Sequence, residues 1–353
     1  MVTAPVHVVA LGASTAVGRG AWSSAAAVRA GIAGFCQHPY MLDSTGEAMR
    51  IAMAPWLDVN LAGIDRLEAL LFPAIEEALA PLVESQGHVG QRLALVLGLA
   101  PERPGGPSDL VRQMSQRLDK RFGGLFSARA LFRCGHASAA VGLEAALHKL
   151  QRDEFDACLV AGVDSYIEPE ALEWLEACDQ FHGAGALNNA WGFVPGEGAG
   201  AVLLARESTL AALGASASLA RVLGAGVSME PKTIKSETIC IGEGLTDALR
   251  ATLGALPAGA LVNDVYCDMN GEPYRADEFG FAGLRVGESF VSLSDFVAPA
   301  DCWGDVAAAS VPLHLILAVA AGAKGYAKGD IALTWASSES GERAAVLLET
   351  RRG

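Results

Sequence analysis

Cys134, His136 and Ser138 fall within the run Arg133-Cys134-Gly135-His136-Ala137-Ser138-Ala139-Ala140-Val141-Gly142-Leu143. An apolar helical pattern follows at once through Ala145, Ala146, Leu147 and Leu150. A polar turn, Gln151-Arg152-Asp153-Glu154, then leads to the apolar run Ala157-Cys158-Leu159-Val160-Ala161-Gly162. The order is turn, buried helix, loop, buried strand. A thiol or imidazole at the mouth of a buried helix suits covalent catalysis, because the helix N-terminus favours developing negative charge. The same stretch also reads as a glycine- and alanine-rich core crossover carrying incidental polar residues. Ser138 lacks a G-x-S-x-G elbow and reads as a small packing residue.

The elements that must position this turn form a repeated pattern. Val6 to Leu11, Leu93 to Leu99 and Ala201 to Leu204 are buried-strand runs, and Leu67 to Leu82 is helical in period. Gly12, Gly18 and Gly20 follow the first strand without G-x-G-x-x-G spacing, and no Lys-Ser or Lys-Thr follows the glycines at 192–200, so neither run is a nucleotide-binding loop. Asp109 to Phe122 is an amphipathic helix whose Arg112, Arg117, Lys120 and Arg121 form either a basic patch or an ordinary solvated face. The last third repeats the scheme: a strand-like run from Leu261 to Asp268, mixed strand and loop from Ala282 to Ser292, an apolar helix from Val306 to Ala323, and closing strands at Ile331 to Trp335 and Ala344 to Leu348. Val306 to Ala323 carries no formal charge and approaches the minimum membrane span. Its Ser310, Pro312 and His314 favour a buried central helix instead. Strands alternating with helices predict a layered α/β fold.

The 353 residues are 51% hydrophobic and include 40 glycines, which marks a folded chain with a large core. A formal net charge of −14 repels nucleic-acid backbones and disfavours an acidic carrier protein unless a local basic patch intervenes. The seven cysteines, 36, 134, 158, 178, 240, 267 and 302, have no C-x-x-C spacing. With no signal-peptide pattern, they lead to the expectation of a reduced, cytoplasmic protein.

Three stretches together resemble the β-ketoacyl synthase family of the thiolase-like fold. They are Val8-Val9-Ala10-Leu11-Gly12 continuing to Gly31-Ile32-Ala33-Gly34, then Asp156 to Asp164, then Gly192-Phe193-Val194-Pro195-Gly196-Glu197-Gly198-Ala199-Gly200. The resemblance implies a single thiolase-like domain over 1–353, with pseudo-duplicated mixed sheets and helices. Its N-terminal half, 1–215, would carry the nucleophile turn, and its C-terminal half, 216–353, the histidine motifs. A homodimer, or a heterodimer with a synthase homologue, is implied, as is contact with an acyl thioester or acyl carrier protein.

A condensing member needs a Cys nucleophile and two His residues. Aligned through Val141-Gly142-Leu143 and Gly162-Val163, the nucleophile position falls on His136, and Cys134 lies about two residues early. The first family His falls on Asp268, the second on Asp305, and the upstream Lys on Ala300. Carboxylates at those positions would oppose an oxyanion. The resemblance thus implies a non-condensing homologue, a pseudoenzyme acting as binding, scaffold or partner subunit in fatty acid or polyketide metabolism. The alternative is a noncanonical acyltransferase or thioester hydrolase, with His136 as base, Asp268 and Asp305 orienting it, and Cys134 holding an acyl group. No cofactor is expected. A metal held by His136, Asp268 and Asp305 is the remaining option. Phe193 is implied as an acyl-pocket gate, or else as core packing.

Overall fold

Strands buried on both faces show a period of two in which either side is apolar, and the central strands of this chain follow that rule. The computed structural model describes residues 4–84, 92–186, 188–210, 218–233, 236 and 238–350. In chain order the first part holds β1 (Val6–Thr15), α1 (Ala21–Arg29), β2 (Phe35–Leu42), β3 (Ala48–Ala52), α2 (Gly63–Glu84), β4 (Leu93–Gly98), α3 (Leu110–Phe122) and β5 (Ala128–Phe132). It continues with α4 (Ser138–Gln151), β6 (Ala157–Ser165), α5 (Pro169–Ala177), β7 (Glu197–Arg206) and α6 (Glu207–Leu210). The second part holds β8 (Ala220–Met229), α7 (Glu243–Leu253), β9 (Asp264–Cys267), α8 (Pro273–Val286), β10 (Phe296–Val297), α9 (Ala300–Trp303), α10 (Ser310–Ala323), β11 (Ile331–Ser337) and β12 (Glu342–Thr350).

Ten strands form one mixed sheet in the order β10-β9-β11-β12-β8-β1-β7-β6-β4-β5. From the β5 edge inward the pairings run parallel, parallel, antiparallel, antiparallel. From the β10 edge inward the sequence of pairings is the same. The two series meet where β1 pairs with β8 through Val6↔Val222, His7↔Arg221 and Val8↔Ala220. The expected boundary at 215/216 lies outside the described residues.

Side chains sort by strand alternation into separate cores. Ala94 and Val96 of β4, Cys158 and Val160 of β6, and Val202 and Leu204 of β7 face a central core with α4 and α10. Ala344, Val346 and Leu348 of β12 join it from the other series. The alternate residues Leu95, Leu159 and Leu203 face α2 and α3, while Ala345 and Leu347 face the outer core that includes Leu245 and Leu249 of α7 and Phe279 of α8. The helices α4 and α10 are therefore clasped inside the sheet. This explains the uncharged run before Ala323: α10 is buried along nearly its whole length, with Pro312 in its first turn where no backbone donor is lost. Among the described residues no helix is long and apolar enough to cross a membrane.

Two readings from the sequence require correction. Residues Ala282 to Val286 end helix α8 rather than forming mixed strand and loop. Gly280 and Gly283 weaken the local helical signal, but Gly283 gives the close approach over which Leu293 packs. The strand-like run from Leu261 contracts to β9, because Val262 makes only an isolated bridge to Phe290. The β2–β3 hairpin has no counterpart in the sequence reading.

Gly162 of β6 sets the distance between the sheet and the turn before α10. A Cβ there would stand 2.2 Å from the Ala308 carbonyl oxygen. We expect Gly162→Ala to destabilise the fold by about 1–3 kcal/mol through overpacking; urea unfolding measures it, and wild-type stability would show that the turn yields freely.

Candidate functional site

Two equivalent turns enter the central helices. Gly135-His136-Ala137 precedes α4, and Ala307-Ala308-Ala309 precedes α10; both are single 3₁₀ turns. Gly135 takes φ +76°, a conformation that favours glycine. Its Cα-only side lets the chain reverse so that His136 is buried beneath it. The Cys134 N–H donates to Ser138 Oγ at 2.9 Å and the Ala137 N–H to Ser338 Oγ at 2.9 Å. Ser138 Oγ is thus a hydrogen-bond acceptor within the turn as well as a packing group.

His136 and Asp305 are brought together across 169 positions. Nε2 lies 2.9 Å from each carboxylate oxygen. A carboxylate only accepts, so this contact places a proton on Nε2. Asp305 also accepts from Asn270 Nδ2 at 2.6 Å and from the Ala307 N–H at 2.8 Å. Its backbone is pinned on both sides, since the Asp305 N–H donates to Val194 O and the Gly196 N–H donates to Asp305 O. A Cβ on Gly196 would meet Trp303 O at 2.3 Å. The glycine-rich run Gly192 to Gly200 therefore acts as a clamp that holds Asp305 against the turn.

Asp268 does not reach His136 as a hydrogen-bond partner. Arg275 stands between them: Nη1 donates to Asp268 Oδ2 at 2.7 Å and to Ser337 O at 2.9 Å, and Nη2 lies 3.3 Å from His136 Nε2. That last approach is between two donors and crowds charge rather than forming a bond. Glu272 completes the group, accepting from Asn270 Nδ2 at 3.0 Å and Gln180 Nε2 at 3.0 Å. His136, Asp268, Glu272, Arg275 and Asp305 are all buried.

Burial alone would lower the His136 pKa, but the Asp305 carboxylate overrides it against the opposing Arg275, and the net shift is upward. Burial would raise Asp305, yet His136, Arg275 and Asn270 outweigh it and hold the carboxyl well below its ordinary range. Burial pushes the Cys134 thiol up, only partly offset by Ser138. A thiol held in its neutral form is a poor nucleophile.

Cys134 and His136 line one cavity of about 270 Å3 together with Arg103, Tyr166, Leu175 and Glu339. The Arg103 guanidinium lies 4.0 Å over the Tyr166 ring and pairs with Asp164. Phe193 is not among the residues lining this cavity. It packs behind Tyr166, ring centroids 5.5 Å apart, in a core with Met49, Ile51 and Phe181. Among the described residues, the donor atoms of His136, Asp268 and Asp305 do not gather as a metal site would require; only Glu230, Cys240 and Glu278 do. The Glu278 oxygens there are engaged by Arg343 and Ser337. Three of the four cations on the α3 basic face are paired locally: Arg112 with Asp109, Arg117 with Asp65 and Glu68, Arg121 with Glu76.

Sequence reasoning missed Arg275, Asn270, Glu272 and Arg103. The spacing Asp268, Asn270, Glu272, Arg275 is a dense polar run between a strand and a helix, and it was the available signal.

Residues 133–209 match the family described as Beta-ketoacyl synthase, N-terminal domain. No curated protein sequence matches the chain. Solved structures of the same fold include AntDE:AntF, a type II PKS acyl-carrier protein in complex with its ketosynthase bound to the hexaketide (15% identity, TM-score 0.79, 99% of this chain and 100% of that chain). The ishigamide ketosynthase/chain length factor is similar at 16% identity and TM-score 0.76, over 99% of each chain. The ketosynthase from module 6 of the bacillaene synthase of Bacillus subtilis 168 is similar at 16% identity and TM-score 0.78, over 99% of this chain and 72% of that one. At these identities the likeness establishes the fold: this chain has the layered α/β architecture of ketosynthases.

Asp305→Asn strands the imidazole without its counter-charge, and we expect a loss of about 3–5 kcal/mol in urea unfolding. The pair's pH dependence has a defined sign. His136, raised from 6.5, contributes fully below that value, and its contribution is lost as pH rises through the raised folded value. Asp305, lowered from 3.8, contributes fully above that value and loses its contribution as pH falls through the lowered one. Stability measured between these limits should exceed that on either side in wild type, and the contrast should flatten in Asp305→Asn.

Proposed function

We propose that this chain is a non-condensing relative of β-ketoacyl synthases, acting as a binding, scaffold or partner subunit in acyl-thioester metabolism of the fatty acid or polyketide type. The observation that carries this reading is the ionic network at the helix-start turn. His136 occupies the position implied for the nucleophile, and its Nε2 is committed to Asp305. Asp268, at the position implied for a catalytic His, is committed to Arg275. Condensation needs a thiolate and neutral donors facing a developing oxyanion, and these groups supply neither. The ketosynthase fold and the match over 133–209 support the acyl-thioester context. The repeated strand order supports reading 1–215 and 216–353 as two halves of one domain. The neighbouring complex of a ketosynthase with its acyl-carrier protein supports a carrier protein, and a second synthase-fold chain, as partners.

A specific feature favours the second reading, an acyltransferase or thioester hydrolase: the Asp305-His136 pair is a base with a carboxylate behind it. Incubation with butyryl and malonyl thioesters separates the two. We expect no covalent adduct by intact mass, no release of carbon dioxide and no condensed product. A Cys134-dependent adduct or condensed product would overturn the non-condensing reading, and thioester hydrolysis abolished by His136→Gln would replace it with the hydrolase.

A further inference from the structure

The His136 ring is committed on one side only. Its Nε2 proton goes to Asp305. Its Nδ1 makes no hydrogen bond among the described residues and is not among the polar atoms sealed from solvent without a partner. His136 lines the cavity of about 270 Å3. We propose that His136 Nδ1–H donates a hydrogen bond to the carbonyl oxygen of a compact, uncharged acyl group seated in this cavity. The proposal rests on the non-condensing reading and names what the same site takes.

Three observations define that ligand. The cavity exceeds the ~150 Å3 void that accepts benzene and falls short of the ~300 Å3 at which drug-sized pockets begin, so the group is short. Its walls include Tyr166, Trp174, Leu175 and Ala307, which suit an apolar tail. The charges of the ionic network around the ring disfavour an anion. Among the described residues of that network, His136, Arg275 and Arg103 are set against Asp305, Asp268, Glu272 and Asp164. A free carboxylate would add to this negative surplus, whereas a neutral carbonyl oxygen needs only the donor.

The donor exists while the imidazole is protonated, a form that Asp305 favours. The other titratable groups facing the ring do not substitute for it. Burial drives His314 on α10 to a pKa of about 3, so it is neutral. Burial also keeps the Cys134 thiol and the Tyr166 hydroxyl protonated. Once Nδ1 loses its proton it presents a lone pair to the carbonyl oxygen. Affinity therefore falls as pH rises through the His136 pKa, although the ligand itself does not titrate.

The test uses the full chain and three probes: the butyryl amide of amino-pantetheine, its S-butyl thioether counterpart without that carbonyl, and butyramide. Calorimetry from about pH 6 to about pH 9 reads affinity across the imidazole range, and nitrogen NMR of the histidines reads Nδ1. We expect the amide to bind about tenfold or more tighter than the thioether at the acid end, to shift the His136 Nδ1 resonance, and to lose that advantage at the alkaline end. His136→Gln, which keeps a neutral N–H donor, should remove the pH dependence. Cys134→Phe, which fills the cavity, should abolish binding while His136 still titrates. Stronger binding of the tethered amide than of butyramide assigns a carrier-borne acyl group; equal binding assigns a free one. Equal affinity of amide and thioether, an affinity flat across the His136 titration, or binding of neither probe overturns the proposal. Those results leave the non-condensing reading standing, because it falls only on condensation or acyl loading.

Discussion

The structure depends on neutralising charge that has been taken out of water. An isolated buried ion costs several kcal/mol, and a pair offsets that cost best when its remaining donors and acceptors are also satisfied. Arg66 and Glu197 meet this condition beneath β7, with Arg66 Nε at 2.6 Å and Nη2 at 2.8 Å from the two carboxylate oxygens. Arg343 and Glu278 pair between β12 and α8, 2.6 Å apart, with Arg343 Nη2 left without a partner. At the seam between the two strand series, His136 pairs with Asp305 and Arg275 with Asp268, while the imidazole and the guanidinium approach one another at 3.3 Å. Each pair fixes the relative position of elements far apart in sequence. The network is as much a set of positioning constraints as a chemical site.

The seam also shows how the repeated architecture makes one site from two equivalent turns. The turn before α4 contributes His136, whereas the turn before α10 contributes only alanines and a close contact with Gly162. One turn is chemical and the other is structural. The Asp305 carboxylate, two residues before the second turn, reaches across to the first, with its backbone held between Val194 and Gly196. Moving either turn would separate the imidazole from its counter-ion, so packing at glycine positions and electrostatics at the site are coupled.

The same coupling limits the available chemistry. The Asp305 carboxylate raises the His136 pKa and so favours the protonated ring, in which both nitrogens are donors. Cys134 lines the cavity, but burial withholds its thiolate. Arg275 holds Asp268 through Oδ2 and stands between that carboxylate and the imidazole, while Asp268 Oδ1 is left without a partner. The site is preorganised around fixed charges, whereas a condensing centre must change charge during its reaction.

Much of this was legible in the linear chain. Apolar runs without polar interruption identified the strands buried on both faces, and the uncharged stretch before Ala323 identified a central helix buried on most sides, because burial on both sides leaves no reason for alternation. The glycine-rich run at 192–200 and the turn at 134–138 marked the site. What the sequence did not contain was the partner of each polar group. Asp268 and Asp305 look equivalent as residues, yet only Asp305 meets the imidazole, since Arg275 from α8 captures Asp268. The helix that carries Arg275 was hidden by Gly280 and Gly283. Sequence alone determined the alternation of buried strands and helices and marked the turn that carries His136, because hydrophobic periodicity and small-residue spacing are local. Tertiary structure decided which carboxylate meets that histidine and which of its nitrogens is free, because those follow from distances between elements more than a hundred residues apart.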